Sequence, residues 1–229
     1  MTISIIIPAY NEEQLIGILV SFLKKNSNRD VAEIIVADGG STDNTVAAAA
    51  AAGATAIVSP LKGRSCQMNF GASIATGTVL YFVHADTFPP ETYAVDIMAA
   101  REGGQSLGRY YTKFMSNKKI LWFNEWFTRF DFFICMGGDQ TLFVTKALFD
   151  SVGGFDSKML LMEEYDFCAR ARRAGSYTIM DGAALVSARK YDKNSWLRVQ
   201  RANYKVVQLY KKGVSQVTLA ATYKRMLNW

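Results

Sequence analysis

Residues 3–7 read ISIII, an apolar, β-branched run broken only by Ser4 and stopped by Pro8. A strand with one face in water alternates polar and apolar residues. A run like this one belongs to a strand covered on both faces, as in a parallel sheet under helices. The pattern recurs in EIIVA (33–37), TAIVS (55–59) and TVLYFV (78–83). Between these runs the spacing turns helical. Apolar residues at 15, 16, 19, 22 and 23 predict a helix over Asn11–Lys25, with Glu12 and Glu13 in its first turn and Lys24 and Lys25 in its last, matching the helix dipole. An alanine-rich helix is expected over 43–52, capped by Ser41 or Thr42 and ended by Gly53, and another over 67–75. This alternation predicts an open, mostly parallel α/β sheet. Such sheets bind ligands beyond the carboxyl ends of their strands. Pro8–Glu12, Asp38–Asp43 and His84–Asp86 occupy three of those ends, so three polar clusters are expected to converge on one crevice.

Asp38 ends the second strand, where a dinucleotide-binding fold would hold ribose hydroxyls. That fold needs GxGxxG after the first strand, and the chain has PAYNEE there, with no P-loop elsewhere. Nicotinamide and ATP chemistry are therefore disfavoured, although an acid at this place can still contact a base or ribose. His84 is the only histidine, and Asp86 follows it at i+2. The two either bracket an ion or serve structure. An imidazole beside a carboxylate suits Mn²⁺ better than Mg²⁺. Glu163, Glu164 and Asp166 open a helix expected over 163–174. They read either as dipole complements or as the source of a general base, since clustered acids raise one another's pKa.

The second half differs in charge and in aromatic content. Residues 1–100 carry 5 Lys and Arg against 9 Asp and Glu, whereas 101–229 carry 21 against 11. A basic half of this kind suits an anionic partner: phosphate, a lipid head group or nucleic acid. No nucleic-acid recognition motif accompanies it, so nucleic acid is not expected as the partner. Ten aromatic residues crowd 110–133, read either as core or as a lipid-facing surface, and 195–212 reads as an amphipathic basic helix. LFVT (142–145) is expected to be a short strand. Cys66, Cys135 and Cys168 lack CxxC spacing, which predicts free thiols in a reducing cytoplasm and neither a zinc site nor a disulfide framework. No window reaches the roughly 18 apolar residues of a membrane span, and the strand-like start predicts no secretory signal.

Taken in order, IIIPAYNEE (5–13), ADGGSTDNT (37–45), KGRSCQMNFGASIATG (62–77), HADT (84–87), GGDQTLFV (137–144), VGGFD (152–156), LMEEYDFCARARRAG (161–175) and SARKY (187–191) resemble the family 2 glycosyltransferases. The resemblance runs nearly to Tyr191, and GRxxQMN with GDQ is most similar to a compact bacterial subgroup associated with radical-SAM and selenodomain genes. It implies a GT-A fold over 1–229 as a single domain, with 1–100 binding the nucleotide sugar and 101–229 the acceptor. It implies Pro8, Ala9, Tyr10 and Glu12 around the nucleoside, Asp38 on the base, and Arg64 and Gln67 near the diphosphate. Asn69 and Gln140 would face the sugars, Asp139 would join the catalytic group, and Arg189 with Lys190 would close over the phosphates. Asp86 matches the last acid of the metal-binding DxD, and His84 stands where the first acid would be. Glu163–Glu164 matches the ED motif, with either glutamate able to serve as base for an inverting transfer. Expected partners are a nucleotide-diphosphate sugar, Mn²⁺ or Mg²⁺, and a hydroxyl acceptor, lipid or glycan. Alternative readings are a polyprenyl-phosphate sugar synthase at the membrane surface and a catalytically silent sugar-nucleotide binder. The tail helix would pack on the domain or on a dimer partner.

Overall fold

A computed structural model describes residues 1–132 and 140–228. The first strands are β1 (Ile3–Ala9), β2 (Val31–Asp38), β3 (Thr55–Val58) and β4 (Val79–Phe82), linked by helices α1 (Ile16–Lys25), α2 (Thr45–Ala51) and α3 (Arg64–Ile74). They pair in parallel, in the order β3, β2, β1, β4. All seven residues of β1 are buried. Ile5 and Ile7 pack on one face of the sheet with Leu19 and Tyr81, while Ile6 packs on the other with Leu80 and Phe149. The polar exception is accommodated: Ser4 Oγ donates to Glu33 Oε1 at 2.7 Å, and Thr76 donates to the same oxygen.

The second half continues through β5 (Thr87–Phe88), α4 (Tyr93–Glu102), β6 (Leu107–Met115), α5 (Leu121–Phe127), β7 (Leu142–Thr145), α6 (Lys146–Ser151), α7 (Glu163–Ala171) and β8 (Tyr177–Ser187). Helices α8 (Arg189–Lys193), α9 (Trp196–Lys211) and α10 (Gln216–Met226) follow. β7, β6, β8 and β5 extend the same sheet past β4, so one eight-stranded α/β sheet draws on both halves. Strand β5 lies at the far edge, paired with β8, although it begins only five residues after Phe82. Five residues reach at most about 18 Å, and four strand spacings span about 19 Å. The link also turns, with Thr87 N–H donating to His84 O. The sheet therefore curls until its far edge meets the ends of β1 and β4, where Phe88 packs edge-on against Phe22.

Several local expectations are corrected. Helix α1 begins at Ile16, which leaves Glu12 and Glu13 in the loop before it. Ser41 and Thr42 do not cap α2, whose N-cap is Asn44, because their polar groups are used within and between loops. Helix α3 starts at Arg64, three residues earlier than predicted. The tail helix stands close to its expected limits, with Ser195 accepting from Arg198 N–H as its cap. Cys66 and Cys168 are free thiols, and burial pushes the Cys168 thiol up to about 12; Cys135 lies outside the described residues.

Gly108 marks the tightest crossing of β6. A Cβ there would lie 2.6 Å from the Phe143 ring and 2.7 Å from Thr178 O. Gly108→Ala is expected to cost about 1–3 kcal/mol by overpacking, read as a lowered urea midpoint.

Candidate active site

The turns after β1 and β2 are sewn together by side chains. Asn11 stands at φ 54°, a left-handed conformation that asparagine tolerates. Its Oδ1 accepts from Thr42 N–H at 2.9 Å, and its own N–H donates to Ser41 Oγ at 2.8 Å. Glu12 N–H donates to Thr45 Oγ1 at 2.8 Å, and Asn44 N–H donates to Glu13 Oε2 at 3.0 Å. Gln67 reaches up from α3 and donates to the last carbonyls of both strands, Ala9 O at 2.7 Å and Ala37 O at 2.8 Å. This cross-bracing fixes the floor of a crevice before any ligand arrives.

That crevice is a cavity of about 1300 Å³. One end is lined by Pro8, Ala9, Tyr10, Glu12, Arg64, Gln67, His84 and Asp86, with Gln140, Glu163, Glu164 and Arg189 around them. With Lys190, which also lines it, thirteen of the sequence-predicted site residues therefore meet at one place. Asp38 and Asn69 do not line it. Asp38 is 1 % exposed, with Oδ2 accepting from Gly40 and Ser41 N–H at 2.8 Å each and Oδ1 bonded to the Ser41 hydroxyl. Asn69 instead pins the 155–157 turn through Phe155 N–H and O. Asp139 lies outside the described residues.

The two glutamates arrive by way of Met162, whose φ of 68° is left-handed without glycine's freedom. Strain of this kind costs on the order of 1–3 kcal/mol and clusters at working sites. It turns the chain into α7 so that Glu163 and Glu164, 4 % and 6 % exposed, both face the cavity. Each has its own basic partner. Glu163 Oε1 accepts from Arg64 Nη1 at 3.2 Å, and Glu164 Oε1 lies 2.6 Å from His84 Nε2. The second oxygen of Glu164 makes no hydrogen bond among the described residues. Burial works against a charged His84, but the charge and hydrogen bond of Glu164, aided by Asp86, outweigh it and hold the imidazole pKa above its ordinary value.

Asp86 also meets a second cation. Arg189, at the start of α8, pairs with both carboxylate oxygens of Glu12 and lies 3.2 Å from Asp86 Oδ2. The ionic contacts of the two differ: His84 meets Glu164, and Asp86 meets Arg189. No cluster of three His, Cys, Asp or Glu side chains among the described residues could hold a metal. His84 Nε2 is engaged by Glu164, while Asp86 also lines the cavity.

The far end of the cavity draws on the aromatic segment and the tail helix, which the sequence left open between core and lipid-facing surface. Thr112, Phe114, Phe123, Phe127, Trp196 and Tyr223 line it, brought from β6, α5, α9 and α10. The Thr112 hydroxyl is buried without a hydrogen-bond partner among the described residues. No motif marked these positions, because they meet only through the second half's tertiary packing.

Comparison with known proteins is consistent with this geometry. The family model described as glycosyl transferase family 2 matches residues 4–149. A glucosyl-3-phosphoglycerate synthase of Mycolicibacterium smegmatis is 35 % identical over 98 residues, covering 39 % of this chain and 32 % of that protein. The chain thus spans about a third of that relative's length. Among solved structures, a mannosyltransferase of Pyrobaculum calidifontis in complex with GDP-Man and Mn²⁺ has a TM-score of 0.69 at 17 % identity, covering 92 % of this chain and 63 % of that one. The glucosyl-3-phosphoglycerate synthase of Mycobacterium tuberculosis in complex with Mg²⁺ and UDP has a TM-score of 0.65 at 18 % identity, covering 93 % and 80 %. At such identities the likeness establishes the fold.

Proposed function

The chain belongs to glycosyl transferase family 2, and from that premise we propose that it moves a sugar from a nucleotide-diphosphate donor to an acceptor hydroxyl, with inversion. The observation that carries this reading is the placing of two buried glutamates across one cavity from the cross-braced strand ends. Pro8, Ala9, Tyr10 and Glu12 form the nucleoside wall. Asp38 supports it by holding the turn after β2, its own oxygens being taken. Arg64, Arg189 and Lys190 bring positive charge toward the diphosphate. Gln140 borders the sugar.

Glu164 is the base. It takes the acceptor's proton on its free oxygen as the acceptor oxygen bonds to the anomeric carbon. The bond from that carbon to the diphosphate breaks with its electron pair leaving on phosphate oxygen, and one displacement inverts the centre. A divalent ion, Mn²⁺ or Mg²⁺, held by Asp86, would supply charge neutralisation on the departing diphosphate. UDP and GDP-Man in the similar structures make uracil and guanine the first bases to try.

A thermal-melt screen of UDP, GDP and dTDP, with and without Mn²⁺, tests the site. One nucleotide is expected to raise Tm, more with Mn²⁺, since a ligand at about 100 times its Kd adds about 2.7 kcal/mol. Asp86→Ala should lose the Mn²⁺-dependent part alone, and an unchanged shift would remove the ion from Asp86. Binding of a sugar nucleotide without release of nucleoside diphosphate, whatever the acceptor supplied, would make the chain a binder and overturn the transferase reading.

A further inference from the structure

Six aromatic side chains on α5 and the turn after it stand in solvent: Trp122, Phe123, Trp126, Phe127, Phe130 and Phe132, between 36 % and 58 % exposed. They form a continuous ridge, with Trp126 against Phe130 at 4.6 Å and Phe130 against Phe132 at 5.9 Å between ring centroids. Of the α5 residues only Leu121 is buried, anchoring the helix on Tyr191 and Val199. A contiguous apolar face of this kind marks an interaction surface. Its surroundings are basic. Lys113, Lys119 and Arg129 are exposed around it, while Lys118 pairs with Asp192 and the nearby acids Glu125 and Asp131 are engaged with Phe114 N–H and Arg172.

We propose that this face docks on an anionic lipid bilayer, with Trp122 and Trp126 seated at the head groups. Tryptophan favours that depth, and lysines and arginines beside it gain about 1 kcal/mol each from anionic lipid. A second copy of the chain is a poorer occupant, since a two-fold contact sets these cations against their own copies. The ridge also continues into the active-site cavity, because Phe123 and Phe127 belong to both. Docking would turn the acceptor end of the cavity toward the membrane. No helix among the described residues is long and apolar enough to cross a membrane, so the contact is peripheral.

Flotation of the full chain with vesicles tests this without donor or acceptor, and so independently of sugar transfer. Vesicles of equal parts phosphatidylglycerol and phosphatidylcholine should carry the protein, with a blue-shifted tryptophan emission, and phosphatidylcholine alone should not. Added salt should weaken the binding. Trp122→Ser with Phe132→Ser should reduce it about tenfold or more, with circular dichroism confirming the fold. Leu197→Ser with Val217→Ser, which removes equally exposed apolar groups from α9 and α10, should leave it unchanged. Equal binding to both vesicles, or equal loss in both pairs of variants, would overturn the proposal. So would failure to float, including the case in which sedimentation shows a dimer that Trp122→Ser dissociates.

Discussion

Glu164→Gln is expected to slow sugar transfer by about 10²–10⁴-fold, the usual worth of a positioned general base. The amide matches the carboxylate in shape and still offers His84 Nε2 an acceptor at the 2.6 Å position, so the cavity should keep its form. It cannot take a proton from an incoming hydroxyl. Nucleotide-dependent Tm shifts should therefore survive while turnover, read as nucleoside diphosphate released in the presence of acceptor, collapses. Glu163→Gln is the control. Glu163 is tied to Arg64, a side chain 47 % exposed that leans toward the proposed diphosphate site, so its loss should fall more on donor binding than on turnover. If Glu163→Gln proves the more damaging to kcat, the base is the first glutamate.

His84→Ala is expected to cost about 3–5 kcal/mol of stability, because it strands the buried Glu164 carboxylate without its cation. Both side chains are at most 10 % exposed, and Arg64 is committed to Glu163. His84→Gln combined with Glu164→Gln should recover much of the loss, since a neutral hydrogen-bonded pair leaves no unpaired charge. The sign of the pH dependence follows from the raised native pKa of His84. A group whose pKa rises on folding binds its proton more tightly in the native state. Its stabilisation is complete below the unfolded imidazole value of about 6.5 and fades as pH climbs through the higher native value. Urea midpoints taken from acid to alkaline pH in metal-free buffer should show wild type losing this advantage over the double variant. A constant gap would mean that His84 is neutral throughout.

The nucleotide half was legible because a strand buried on both faces leaves few choices of residue, and ISIII, EIIVA and TVLYFV had to lie side by side. What could not be read there was the use made of polar side chains. Ser41, Thr42 and Glu12 carry ordinary helix-start signals, yet they serve contacts about thirty positions away. Strand β8 hid for a different reason. Its Asp181–Gly182 looks like a turn, but the structure makes it a bulge where Tyr110 pairs with Met180 and Tyr111 with Ala183, Gly182 taking φ +105°. The motifs named most of the residues that the fold gathers along the proximal part of the cavity. Their pairing was another matter: His84 and Glu164 lie 80 positions apart, and no spacing rule reports that the two are hydrogen-bonded. The aromatic segment was ambiguous between core and surface because composition says nothing about which way a ring points.

The curled sheet has a consequence for how the protein is made. Strands β1 to β4 can pair as soon as they leave the ribosome, and they carry, with the loop after β1, the proposed nucleoside wall. Yet the glutamates begin at 163, and the seam beside Asp86 closes only when Ser187 N–H reaches Asp86 O. Such non-local contacts form late and slowly. During synthesis, a growing chain therefore holds half a pocket for most of its length. The cavity is complete only after the last strand, when α8, α9 and α10 supply Arg189, Trp196 and Tyr223.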